Sequence, residues 1–274
     1  MTLTTEKFDQ EREPASIAPD ITTSQSEKGF DTAFVETMEA AFDAVVEAIA
    51  QQLQSEEAFT LELQSEQSQF TRFNRAKVRQ TGLVTDGSIE FTLMSNIPSK
   101  ERRSFRTVPM TGDRAVDVQR ITAALESLRS ELPQLPIDPY LVLPTGNATS
   151  RDVHPGKLLA ANELATELLT PVADLDFTGI YAGGSVIRAY ADSAGQRHWF
   201  ASDSFTLDYS LFTNDGQAVK GTVAGREWDA AAYTAKLKDS RIQLERMAIA
   251  PKTIEPGQYR TYLAPASVAE LMSR

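Results

Sequence analysis

The chain has 274 residues, 41% of them apolar and 24% charged, with 38 Asp or Glu against 27 Lys or Arg and a formal net charge of -11. A chain of this size buries a sizeable core, in one large domain or two small ones, and its acidic balance argues against a chain-wide nucleic-acid or anionic-membrane surface. The absence of cysteine excludes disulfides, thiolate metal sites and a cysteine nucleophile, and without an apolar run near the roughly 18 residues of a membrane span or a basic-then-apolar leader, a cytoplasmic protein is expected.

Residues 1–30 are Thr, Ser, Glu, Gln and Pro with few large apolar side chains, a composition that predicts a disordered tail. Asp31 is a plausible N-cap for a helix carrying Phe34, Met38, Phe42, Val45, Ile49 and Leu53 at helical spacing, with Glu36, Glu39, Asp43 and Glu47 on the wet side. Residues 58–63 alternate as a first strand. Residues 68–80 follow as a strand whose cations include Arg75, Lys77 and Arg79, and Asp86-Gly87 signals a hairpin before a strand over 89–94. From Arg72 to Arg106 there are eight Lys or Arg against three Asp or Glu, a local patch suited to a phosphate backbone or an acidic peptide, or simply a solvated strand face.

Gly112-Asp113 opens a second helix with Val118, Ile121, Leu125, Leu128 and Leu132 in one stripe, ended by Pro133 and Pro136. Residues 140–143 read as a short strand and 145–153 as a loop, and 157–169 as a third helix before Pro171. Residues 180–190 then form a strand, Asp192-Ser193-Ala194-Gly195 a turn, and His198-Trp199-Phe200 a returning strand. Further strands are expected over 205–212 and 218–223, a long helix over 229–247, a strand over 259–263 and a final helix from Pro265 to Met272. The fold class is α+β, with helices packed on antiparallel sheets.

Three stretches share one resemblance. Arg72-Phe73-Asn74-Arg75-Ala76-Lys77-Val78-Arg79-Gln80, after an amphipathic helix and a short strand, resembles the opening segment of the TldD/PmbA family, once called modulators of DNA gyrase. Gly179-Ile180-Tyr181-Ala182-Gly183-Gly184-Ser185, a turn and an aromatic strand look like that family's middle domain. Pro256-Gly257-Gln258-Tyr259-Arg260-Thr261-Tyr262-Leu263-Ala264-Pro265 through Glu270-Leu271 is similar to the junction where its last domain begins, departing from the pattern at Thr261 and Tyr262. The resemblance implies a 31–112 N-terminal sub-domain, a 113–250 middle sub-domain, and in 251–274 the beginning of a truncated third. It also implies a peptide-processing assembly in which the TldD-like subunit carries zinc on a His-Glu-x-x-x-His helix and the PmbA-like (TldE) subunit does not. The first His and the Glu of that motif fall near Ser273 and Arg274, neither of which suits zinc catalysis. The chain is therefore expected to be the metal-free kind, with no cofactor of its own and a TldD-like partner in a dimer.

The residues themselves offer no enzyme site. The only histidines, His154 and His198, are far apart and lack helical metal-binding spacing. Ser185 lacks the elbow of an esterase nucleophile, and Lys157 lacks a phosphate-loop context. Asp203 and Asp208 sit five apart, on opposite faces of a strand, and residues 174–176 are simply an acidic loop. Tyr181, Tyr190, Trp199, Phe200 and Tyr209 form an aromatic set, read as core or subunit interface, with a peptide groove as the alternative. Two functions from different classes follow: a non-catalytic subunit of a peptide-processing metalloprotease, or a nucleic-acid- or gyrase-associated regulator. A third is the front of a catalytic subunit whose zinc site lies beyond Arg274.

Overall fold

Alternation of apolar and polar residues along four long strands decides the architecture, because it gives one sheet a face that must be covered and a face that can stay wet. The computed structural model describes residues 32–98 and 100–273. The elements are α1 (Thr32–Gln52), β1 (Glu57–Asn74), β2 (Lys77–Ser95), β3 (Arg102–Pro109), α2 (Arg114–Glu131), β4 (Thr149–His154), α3 (Leu164–Leu169), β5 (Asp176–Asp192), β6 (Arg197–Phe212), β7 (Ala218–Gly225), α4 (Ala230–Met247) and α5 (Pro265–Met272). All seven strands join in one sheet of order β3-β2-β1-β5-β6-β4, with β7 beside the second half of β6. Pairing is antiparallel except between β4 and β6, which run parallel.

Odd-numbered residues of β1, β5 and β6 face the helices. At one end Phe59, Leu61, Leu63, Ile187, Ala189 and Trp199 pack under α1 and α2; at the other Phe73, Phe177, Tyr181, Leu207 and Tyr209 pack under α3 and α4. Each Leu, Ile or Phe among them taken fully from water contributes roughly 1.5–3 kcal/mol, so two clusters hold one sheet from its two ends. A polar belt separates them on the same face. There Ser185 Oγ donates to Asp203 Oδ1 at 2.6 Å, the Gly156 N–H donates to Asp203 Oδ2 at 3.1 Å, and Gln69 Nε2 donates to the Leu159 carbonyl at 3.1 Å. Strands that precede and strands that follow residues 112 and 113 in sequence share one sheet, because β1 pairs with β5 from Thr60↔Asp192 to Phe73↔Gly179.

Helix α2 starts where expected, with Asp113 capping the Ala115 and Val116 N–H groups, and Asp229 caps α4 in the same way. Several expectations are corrected. The hairpin lies at Arg75-Ala76, both at positive φ (52° and 50°), in place of Asp86-Gly87. Gly87 sits inside β2 for closeness of packing: a Cβ there would meet the Met110 carbonyl at 3.0 Å and Met38 Cε at 3.2 Å. The cationic stretch is therefore the end of one strand, a turn and the start of the next. Residues 140–143 and 259–263 form no strand. Pro139 and Pro144 bracket the first without a pairing partner, and the second is exposed throughout, Tyr262 at 86%.

The stretch 145–153, expected as a loop, supplies most of strand β4, whose parallel pairing to β6 is a long-range event that local composition does not encode. The third helix is only Leu164–Leu169, because Lys157 is engaged by a segment distant in sequence: its N–H donates to the Arg226 carbonyl and its carbonyl accepts from the Trp228 N–H, both at 2.8 Å. The tail over 1–30 and the cap at Asp31 lie outside the described residues. Among the described residues no helix is long and apolar enough to cross a membrane.

Candidate functional site

The even-numbered residues of the central strands point away from the helices, and register aligns them into rows. Glu62, Tyr190, His198 and Ser150 share one row across β1, β5, β6 and β4; Gln64, Arg188, Phe200 and Asp152 share the next on that face. Neighbouring members of a row stand about 5 Å apart by strand spacing. Together they line an open cavity of ≈ 400 Å³ on the uncovered side of the sheet.

A hydrogen-bonded chain runs along its rim. Ser150 Oγ lies 2.9 Å from His198 Nδ1, and His198 Nε2 lies 3.4 Å from Gln196 Oε1. The Gln196 oxygen only accepts, so the chain is satisfied with the proton on Nε2 and Ser150 donating to Nδ1. Gln196 Nε2 in turn donates to Asp192 Oδ2 at 2.9 Å. Ser150 and His198 thus resemble two parts of a nucleophilic relay, but an amide stands where a carboxylate would have to stabilise the imidazolium. The arrangement positions polar groups; it does not assemble a nucleophile.

Asp192, 1% exposed, anchors the rim. Its Oδ1 accepts from the N–H groups of Ala194, Gly195 and Gln196 at 2.9, 3.0 and 3.0 Å, and its Oδ2 accepts from Tyr190 at 3.1 Å. Sequence reasoning placed Asp192 only in a turn; Asp followed shortly by Gly is the available signal, since an Asp side chain readily accepts from the backbone of its own turn. Arg188 donates to the Ile187 carbonyl at 2.7 Å and has no carboxylate partner among the described residues.

Burial first, and then the carboxylates of Asp192 and Glu62, push the Tyr190 phenol up to about 12; burial pushes Tyr181 to about 12 as well. A raised phenol pKa means that the folded chain holds these protons more tightly than the unfolded chain. Their contribution is complete below the unfolded value near 10 and is lost as pH rises toward 12. Denaturant midpoints should therefore fall progressively between pH 10 and 12, and Tyr190→Phe should lessen that fall; an unchanged slope in the variant would show that Tyr190 does not carry it.

The other sequence candidates disperse. His154 is exposed with its ring 5.7 Å from that of Phe200, and it pairs with Ser202 while His198 pairs with Ser150. Four residues of strand separate the two histidines, roughly 13 Å, too far to share a metal ion. Among the described residues no three His, Cys, Asp or Glu side chains converge as a metal would require. Ser185 is buried against Asp203; Asp208 accepts from Thr222 Oγ1, toward the other face. Asp174 pairs with Arg241 at 2.8 Å, which holds its carboxyl down at about 2. Of the aromatic set, Tyr181, Trp199 and Tyr209 are buried on the helix side, whereas Tyr190 and Phe200 face the cavity.

The cations of the expected strand gather at the β1–β2 tip. Arg72, Arg75, Lys77 and Arg79 are exposed and form no ion pair among the described residues. The tip itself is anchored, because the Ala76 N–H donates to the Phe177 carbonyl at 2.9 Å and the Phe73 ring meets that of Phe177 at 6.0 Å.

No protein-family model matches the chain and no curated protein matches its sequence. Solved structures do match. A protein described as a modulator of DNA gyrase from Bacteroides thetaiotaomicron is similar at TM-score 0.59 and 12% identity, over 87% of this chain and 55% of that one. One so described from Thermotoga maritima is similar at TM-score 0.51 and 12% identity, over 80% and 50%. TldE from Thermococcus kodakarensis superposes at TM-score 0.49 and 8% identity, over 75% and 47%. The chain spans about half the length of these proteins. Its α+β fold is the fold that the two modulator-of-gyrase structures contain, and the one that the sequence resemblance implies.

Proposed function

We propose that the chain is a PmbA/TldE-like, metal-free subunit of a cytoplasmic peptide-processing assembly, in which a TldD-like partner supplies zinc and this chain helps to hold the peptide. The likeness of fold to the modulator-of-gyrase structures carries the reading. Two features support it: the dispersed histidines, and an open sheet face and edge suited to polypeptide.

Light scattering on the chain alone and mixed with the TldD-like protein of its own genome, with zinc quantified in each peak, tests it. The expected result is a zinc-free chain that joins a zinc-bearing partner. Stoichiometric zinc on the chain alone would sink the reading and make His154 and His198 the first residues to replace. A His-Glu-x-x-x-His helix encoded after Arg274 would reassign the chain to a catalytic subunit. The unpaired cations of the β1–β2 tip favour a second reading, a contact with nucleic acid. That contact would weaken steeply with salt as counterions are released, whereas the subunit reading predicts weak salt dependence.

A further inference from the structure

We propose that the outer edge of β2 over residues 77–87 is a docking strand for an extended acidic polypeptide segment, which adds to the sheet as a further strand. β3 covers β2 only from Ser88 to Ser95. The remainder of β2 has β1 on one side and, among the described residues, no strand on the other.

The direction of its free groups follows from one hydrogen bond. The Met110 N–H donates to the Gly87 carbonyl at 2.8 Å, so Gly87 directs its backbone groups outward. Alternate residues of a strand do the same, and the pairing of β2 with β1 is unbroken from Gly87 to Gln80. Thr81, Leu83 and Thr85 therefore present their N–H and C=O groups to whatever lies alongside. Leu83, 83% exposed, adds an apolar contact. Exposed edges are commonly protected by proline or by charged side chains, lysine above all; this stretch contains no proline, and its charges, Lys77 and Arg79 at one end and Asp86 at the other, leave residues 80–85 uncharged.

Charge chooses the occupant. Lys77 and Arg79 lie on the edge, and Arg72 and Arg75 flank it at the anchored tip, four unpaired cations on a chain whose net charge is -11. A second copy would bring the same acidic excess to this chain, whereas an acidic segment meets opposite charge at the one cationic end of the edge. The proposal rests on the peptide-handling reading for the class of occupant; its geometry rests on the edge alone.

The test uses the full chain without any partner subunit. The probe is a fluorescent peptide of about ten residues alternating Glu with Val or Thr, a length that matches the edge. Controls are the same peptide with Lys for Glu, and with alternate backbone amides methylated. Binding is read by anisotropy, and hydrogen exchange reports the amides. The expected result is saturable binding that falls about tenfold or more for either control, with the amides of Thr81, Leu83 and Thr85 newly protected. Lys77→Glu with Arg79→Glu should reverse the charge preference while leaving unfolding unchanged. Failure of the acidic peptide to bind, equal binding of the methylated peptide, or protection confined to other amides would overturn the proposal. Duplex DNA displacing the peptide without protecting those amides would overturn it too, and would mark the tip as a phosphate contact. Because no partner subunit is present, each failure leaves the assembly reading to its own test.

Discussion

Replacing Gly184 by alanine should destabilise the chain by about 3 kcal/mol or more, at the upper end of what overpacking costs. Gly184 lies on β5 opposite Ser68 of β1, midway between the two cores. A Cβ there would stand 2.1 Å from the Gln67 carbonyl oxygen and 2.6 Å from Ser68 Cα. Both are backbone atoms of a central strand, so neither can turn aside as a side chain would. The β1–β5 ladder must open where it joins one core to the other. Gly183→Ala is the informative comparison, because its Cβ would meet the Tyr181 hydroxyl at 2.8 Å and ring at 3.0 Å, atoms of a side chain and not of the backbone, and a smaller loss is expected. Urea unfolding of both variants decides the matter. Equal midpoints for Gly184→Ala and the parent chain would mean that the two strands do not approach as described.

Replacing Asp192 by alanine should cost about 3 kcal/mol, since one buried carboxylate satisfies several donors and their loss leaves them without an acceptor. Three consecutive N–H groups of the β5–β6 turn, the Gln196 amide and the Tyr190 hydroxyl all depend on it. Asp192→Asn should cost less, since its carbonyl oxygen still accepts from the turn while its NH2 group faces two donors. In either variant the Tyr190 phenol should ionise at lower pH, because Asp192 is one of the charges that hold it up. Ultraviolet titration of phenolate reads this directly. An Asp192→Ala chain that kept both its stability and its tyrosine titration would remove Asp192 as the anchor of the cavity rim.

These two positions show how the fold and the candidate site depend on each other. The long strands carry the rows of polar residues, and they stay in register because Gly184 lets β1 and β5 close together and Asp192 pins the turn that returns β6. The cavity is accordingly lined from sheet and not from loops, with Gln196 at its rim, and strands hold side chains more precisely than loops do.

Much was determined by the sequence alone. The stripe from Met38 to Ile49, the helix starts at Asp113 and Asp229, the alternation of residues 58–63 and 205–212, and the helix from Pro265 to Met272 all appear where local sequence signals put them. Those signals are short-range, and a helix stripe or a strand face is readable within a few turns of chain. Only the tertiary structure decided the rest. The Asp-Gly pair at 86–87 reads as a turn, yet packing against Met38 and Met110 holds Gly87 inside a strand, and the reversal falls on Arg75-Ala76. Strand β4 exists because β6 offers it an edge, and the row Glu62, Tyr190, His198, Ser150 exists because four strands distant in sequence share a register. Periodicity states which face of a strand is wet; it does not state which strand lies beside it, because pairing is settled by long-range closure of the sheet over its two cores.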